Sequence, residues 1–117
     1  MATITLSFDN GPEPDVTPRV LDTLRRHDLK ATFFVLGWLA ERCPELIAEV
    51  ARRGHSVSSK GYLHRSFGHV SLEEFEADLK RSQDAIGAAA GGAMLAASGF
   101  GSLNFNLQGT YLDELVT

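Results

Sequence analysis

Apolar residues along this chain come in short runs separated by polar turns, and the spacing within the runs switches between strand and helix periods. Ile4-Thr5-Leu6-Ser7-Phe8 is β-branched and apolar and runs into Asp9-Asn10-Gly11-Pro12, a cluster of turn formers, which predicts a strand leading into a loop. Thr17 precedes Pro18, and Val20, Leu21 and Leu24 follow at helical spacing. That pattern predicts an N-capping threonine, a proline at the first helical position and an amphipathic helix ending near His27-Asp28. Ala31 to Leu36 is almost entirely apolar and closes at Gly37, as expected of a strand covered on both faces. Leu46, Ile47 and Val50 form the stripe of the next helix, which stops at Arg52-Arg53-Gly54 with cations in its last turn. Ser56-Val57-Ser58-Ser59 reads as a weak strand. Ser71-Leu72-Glu73-Glu74 opens a further helix with a Ser-x-x-Glu capping box, and Phe75, Leu79 and Ile86 mark its buried side.

Strand and helix thus alternate with short connections, which predicts an α/β fold with a parallel sheet. From Ala85 to Thr117 the pattern weakens: Asp113 and Glu114 are the only charged residues there, and six of the eleven glycines fall in this stretch. Ala93 to Ser98 is expected to form a fourth strand and Leu107 to Leu115 a final helix. There are no heptads and no short repeats.

Length and composition narrow the options. At 117 residues the chain fits one domain, residues 1–117, and is too short for a complete eight-fold α/β barrel of about 250 residues. Fifteen acidic residues against eleven Lys plus Arg give a net charge of −4, which offers no basic footprint for nucleic acid or an anionic membrane. Cys43 is the only cysteine, so no internal disulfide is expected. Met1 to Phe8 lack the basic start of a signal peptide, and no apolar run reaches the ~18 residues of a membrane span. A soluble, cytoplasmic protein is the expectation.

In a parallel α/β sheet the carboxyl ends of the strands converge on one face, where ligands bind. Asp9-Asn10 ends the first strand, Lys60 to His64 follows the third, and Ser98 to Phe100 follows the fourth. A carboxylate, an ammonium and an imidazole are therefore expected near one pocket.

The segments Ser-Phe-Asp-Asn-Gly-Pro at 7–12, Lys-Ala-Thr-Phe-Phe-Val-Leu-Gly at 30–37, Arg-Gly-His at 53–55 and the spacing to His64 resemble the polysaccharide deacetylases of the NodB-homology group, a carbohydrate esterase family. The resemblance runs from about Ile4 to Gln83, and residues 85–117 match weakly. It implies part of a deformed (β/α) barrel, with about four parallel strands and flanking helices in this chain. The implied reaction is the metal-dependent hydrolytic removal of acetyl groups from N- or O-acetylated sugars.

Residue by residue, the resemblance gives Asp9 the place of the general base and His64 that of a metal ligand. Asn10 stands where the family has a ligand Asp, and Lys60 stands where it has a ligand His. In the third motif Ala96 takes the place of an arginine that orients the base, and Ser98 that of a proline. The later motifs, which supply an acyl pocket and a general acid, find no counterpart in the sequence.

A catalytic zinc needs three protein ligands and an open position for water. Of the three implied positions only His64 is intact, since Asn10 offers a neutral carbonyl oxygen and Lys60 a cation. Pairing of Lys60 with Asp9 is the expected outcome, with no zinc or similar divalent metal bound.

Other residues carry plainer readings. Without the resemblance, Asp9 to Pro12 would be a turn and Lys60 and His64 exposed loop residues. His64 and His69 are five apart and read as a polar loop rather than a new metal pair. His55, just before a strand, reads as structural. Cys43, before Pro44 at a helix start or bend, reads as a packing residue. Trp38 at the mouth of the second strand either stacks on a sugar ring or packs the following helix.

Deacetylation is accordingly expected to be lost or much reduced, with an acetylated saccharide as the partner. The competing reading is a non-catalytic saccharide-binding or self-assembling protein on the same scaffold. A partial barrel leaves a strand edge and an apolar face to cover, which predicts a homodimer.

Overall fold

The computed structural model describes residues 4–64 and 68–91. The chain order is β1 (Ser7–Gly11), α1 (Thr17–Arg26), β2 (Thr32–Val35), α2 (Gly37–Arg42), α3 (Pro44–Arg52), β3 (Ser56–Ser59) and α4 (Leu72–Ala90). The three strands form one parallel sheet in the order β1-β2-β3. The mixed α/β architecture with a parallel sheet is as the alternation predicts. The expected strand at Ala93 to Ser98, the helix at Leu107 to Leu115, and the Ala96 and Ser98 positions lie outside the described residues.

Side-chain alternation sorts the sheet into two faces. Phe8 pairs with Phe33, and Phe33 with Val57. This face turns toward the helices, where Phe33, Val35 and Val57 are buried with Leu21 and Leu24 of α1, Ile47 and Val50 of α3, and Ile86 of α4. The Phe8 and Phe33 rings stack at 5.2 Å. The opposite face pairs Asp9 with Phe34 and Phe34 with Ser58. Thr32 and Phe34 are only half-buried there. Among the described residues β2 is thus fully covered on the Phe33 side, where the helices pack, and partly covered on the other, where its neighbour Ser58 is buried.

Three local expectations need correction. The first strand begins three residues later than its apolar run suggests and extends through the turn formers to Gly11, because Asp9 and Gly11 continue the ladder with β2 around an irregularity at Asn10. Asn10 takes φ +74°, a left-handed conformation that asparagine tolerates better than most residues. Second, Thr17 is the first helical residue and not a cap. Val16 takes the cap position without a side-chain cap, and Glu13 braces the turn before it, its Oε2 accepting the N–H groups of Val16 at 2.7 Å and Asp15 at 2.9 Å. A carboxylate suits the positive end of the helix. Third, a short helix that the apolar pattern did not signal, α2, precedes the expected helix, which starts at Pro44 as read. Pro44 disfavours helical geometry at the residue before it, and Cys43 accordingly breaks the chain at φ −129°, ψ 57° between α2 and α3.

The remaining helix signals hold. Ser71 caps α4 by accepting the Glu74 N–H at 3.1 Å. Its buried seam is Ser82, Ile86 and Ala90, whereas Phe75 and Leu79 are half-buried. The seam is small because α4 lies tight against the start of α2: a Cβ on Gly37 would fall 2.8 Å from the Ser82 Cα.

Candidate functional site

The carboxyl ends of the three strands are stitched together by main-chain bonds. The Leu36 N–H donates to Gly11 O at 2.9 Å, and the Lys60 N–H donates to Val35 O at 2.8 Å. These bonds bring the end of β1, carrying Asp9 and Asn10, beside the exit of β3, carrying Lys60. Lys60 Nζ lies 3.2 Å from Asp9 Oδ2. The lysine is 4% exposed as a residue, while the Asp9 side chain is 29% exposed. The pairing expected from charge is present, with the ammonium as its buried member.

The β3 exit is held from several sides. Ser59 Oγ and Ser82 Oγ are 2.7 Å apart in a buried hydroxyl pair that fastens β3 to α4. The Gly61 N–H donates to Ser59 Oγ at 3.0 Å, and Gly61 O accepts the Gly37 N–H at 2.9 Å. His64 sits four residues beyond Lys60 in an exposed bend.

Trp38, the second residue of α2, is half-buried, with its N–H bonded to Tyr62 O at 3.1 Å and the Arg42 guanidinium 5.9 Å from its ring. Tyr62 escaped notice in the sequence although it lies two residues past Lys60. Its hydroxyl donates to Glu41 Oε2 at 2.8 Å, its N–H donates to Asp78 Oδ2 at 3.0 Å, and the Arg81 guanidinium stacks 3.8 Å over its ring. The bond to the Glu41 carboxylate, with some burial, raises the Tyr62 pKa above the ordinary phenol value. An aromatic residue at a strand exit was the available signal.

His55 is structural, as read: it is 6% exposed and accepts the Ala31 N–H on Nδ1 at 3.1 Å. Burial, followed by the charges of Lys30 and Arg53, lowers its pKa. Cys43 is a partly buried free thiol at the α2–α3 break.

The donor set at the three implied ligand positions does not suit a divalent metal. A protonated amine has no lone pair to donate and repels a dication, and Lys60 is engaged with Asp9. Asn10 contributes only a neutral amide, and among the described residues no group of three or more His, Cys, Asp or Glu side chains could hold a metal ion. A cavity of about 250 Å³ borders Asp9 and Asn10 on the helix side of β1, lined by Phe8, Val16, Val20, Phe33 and Val35.

The chain is 35% identical over 90 residues to a peptidoglycan-N-acetylglucosamine deacetylase of Bacillus cereus, covering 77% of this chain and 33% of that protein. It therefore spans about a third of the length of this curated relative. Among solved structures it superposes with a TM-score of 0.72 on a peptidoglycan N-acetylglucosamine deacetylase 34% identical in sequence, over 74% of this chain and 41% of that one. A mutant of a CE4 family pseudoenzyme with restored enzymatic activity matches with a TM-score of 0.70 and 27% identity, over 74% of this chain and 32% of that one. The family model for polysaccharide deacetylase matches residues 2–107, and the chain belongs to the polysaccharide deacetylase family.

Proposed function

We propose that this chain carries the saccharide-facing site of a polysaccharide deacetylase scaffold on which metal-dependent hydrolysis is lost or much reduced, leaving an acetylated saccharide as its ligand. One observation carries the reading: Lys60, buried and 3.2 Å from Asp9 Oδ2, puts a fixed cation where the family resemblance implies a metal ligand, and engages the carboxylate implied as the base. A metal centre generates hydroxide near neutral pH by lowering the pKa of its bound water, and a site that cannot assemble one forgoes that nucleophile. The Bacillus cereus relative supports a ligand bearing N-acetylglucosamine, and the family contains at least one pseudoenzyme.

The test is paired. Zinc-supplemented protein is assayed for acetate release from acetylated chitooligosaccharides, and the same oligosaccharides are titrated by calorimetry. Binding heat without acetate release is the expected result, whereas sustained zinc-dependent acetate release overturns the reading.

Self-association is a second reading, favoured by the exposure of β1 at the edge of the described sheet. Phe8 and Val16 are 36% and 52% exposed beside an apolar hollow that also includes Val20 and Leu24. Two-fold pairing across β1 would cover them. A monomeric mass by light scattering at micromolar concentration would remove this reading.

A further inference from the structure

Lys60 is placed with more care than a surface ion pair requires. Its N–H is fixed to Val35 O at 2.8 Å. The residue before it joins the buried Ser59–Ser82 hydroxyl pair, and Gly61 after it is bonded to both Ser59 Oγ and the Gly37 N–H. The lysine backbone is therefore held by β2, α2 and α4 together. With 5% of its side chain exposed, the ammonium is held out of bulk water at this exit. A charge this buried persists only where other groups compensate for its lost hydration, and the Asp9 carboxylate at 3.2 Å is one such group.

We infer that Lys60 is the resident cation of this site: a tethered positive charge that fastens the end of β1 to the exit of β3 through Asp9 and excludes divalent cations from the place it fills. The inference deepens the functional reading and rests on it only for the location of the site. It makes Lys60 a positioning residue, one that sets where the Asp9 carboxylate points. The chemistry is additive. A divalent ion here would face an ammonium that it repels and a carboxylate already engaged, and Asn10 offers it no more than an amide oxygen.

The test uses the full 117-residue chain, followed by thermal unfolding with zinc chloride or EDTA and by zinc calorimetry. The wild-type midpoint is expected to move by less than about 1 °C with either addition, because only ligand that binds the folded state shifts it. Lys60→Met and Asp9→Asn are each expected to lower the midpoint by roughly 4 °C or more, Asp9→Asn the further, since it takes the carboxylate from the more buried partner. The double variant Asp9→Asn/Lys60→Met is expected to recover most of that loss. This recovery separates a charge pair from mere packing of the lysine stem, which removal of the Asp9 charge would not repair. The double variant also decides the matter if a single variant fails to fold.

Zinc-dependent stabilisation of the wild type, unchanged midpoints in both single variants, or a double variant no better than the worse single would each overturn the inference. Its failure is distinguishable from failure of the functional reading. A wild type indifferent to zinc that still releases acetate defeats the functional reading alone, and a zinc-stabilised wild type that releases none defeats this inference alone.

Discussion

The imidazole of His55 accepts the backbone N–H of Ala31 on Nδ1 at 3.1 Å, tying the residue before β3 to the residue before β2. That bond exists only while Nδ1 carries no proton. The ring is 6% exposed and lies edge-on to Phe33 at 5.4 Å, and burial, then Lys30, then Arg53, all press its pKa downward.

A folded pKa below the unfolded value of about 6.5 means that the unfolded chain takes up this proton first as pH falls. The stability linked to His55 is therefore complete above about pH 6.5 and is lost progressively as pH drops through that value toward the folded pKa. Thermal unfolding between about pH 7.5 and 5 should show a falling midpoint. The variant His55→Asn, which keeps an acceptor but cannot titrate, should flatten the fall. Matching profiles for the two proteins would assign the acid sensitivity to other groups.

A second acid-sensitive element lies between α1 and α3. Arg53 donates from Nε to Glu49 Oε1 at 2.7 Å and from an Nη to Asp22 Oδ1 at 2.8 Å. These hydrogen bonds lower the pKa values of both carboxylates and raise that of the guanidinium. With folded carboxylate pKa values below the unfolded ones, the contribution is present above about pH 4.5 and lost as pH falls through the folded values, a lower window than that of His55. All three groups meet solvent, so the effect should be modest and should shrink in high salt. Arg53→Met is expected to lower the midpoint slightly at neutral pH and low salt, and progressively less as pH falls through the folded carboxylate values. A loss that does not change with pH would mean that the arginine stem, not its charge, matters.

The parts of the fold that were legible in the sequence are those with a local cause. Ser71 caps α4 because the Ser-x-x-Glu pattern acts within one turn, and Ser56–Ser59 is a strand despite its thin pattern because Val57 supplies an inward apolar side chain. The placement of β1 was not legible, because the ladder to β2 draws Asp9 and Gly11 into the strand, and turn formers reveal nothing about a partner strand. The convergence of strand ends in a parallel sheet and the family resemblance put Lys60 and Asp9 in one place, and charge complementarity then pointed to their pairing. Tyr62 was missed because its role depends on Glu41, Asp78 and Arg81, brought from two helices by tertiary packing.

Gly37 marks the closest approach of α2 to α4. An added Cβ would sit 2.8 Å from Ser82 Cα and 2.8 Å from Tyr62 Cδ2, and the first of these is backbone that cannot yield without moving the helix. Gly37→Ala should therefore destabilise the chain by about 1–3 kcal/mol, the usual cost of overpacking. Urea unfolding measures the loss. Because the same shift displaces Tyr62 and the Gly61 bond beside Lys60, the variant should also weaken any saccharide binding. A neutral substitution would show that α4 can slide freely on α2.

Asn10 and Lys60 both stand at implied ligand positions, yet they differ in what holds them. At Asn10 the backbone decides: φ +74° is a conformation that glycine adopts freely and that Asn and Asp tolerate, while alanine pays about 1 kcal/mol or more to enter it. Asn10→Gly and Asn10→Asp should leave the urea midpoint nearly unchanged, and Asn10→Ala should lower stability by that amount. Aspartate and asparagine are therefore expected to serve the fold equally at this position. Reversal alone is not expected to create a zinc site, since the Lys60 ammonium would still fill another implied ligand position and repel the dication. Only with Lys60→His as well do the three implied ligand positions hold one carboxylate and two imidazoles, a donor set that zinc accepts. Zinc calorimetry on Asn10→Asp, Lys60→His and the double variant should give binding in the double variant alone. Binding by Asn10→Asp with Lys60 intact would mean that the ammonium leaves the site more easily than its burial implies.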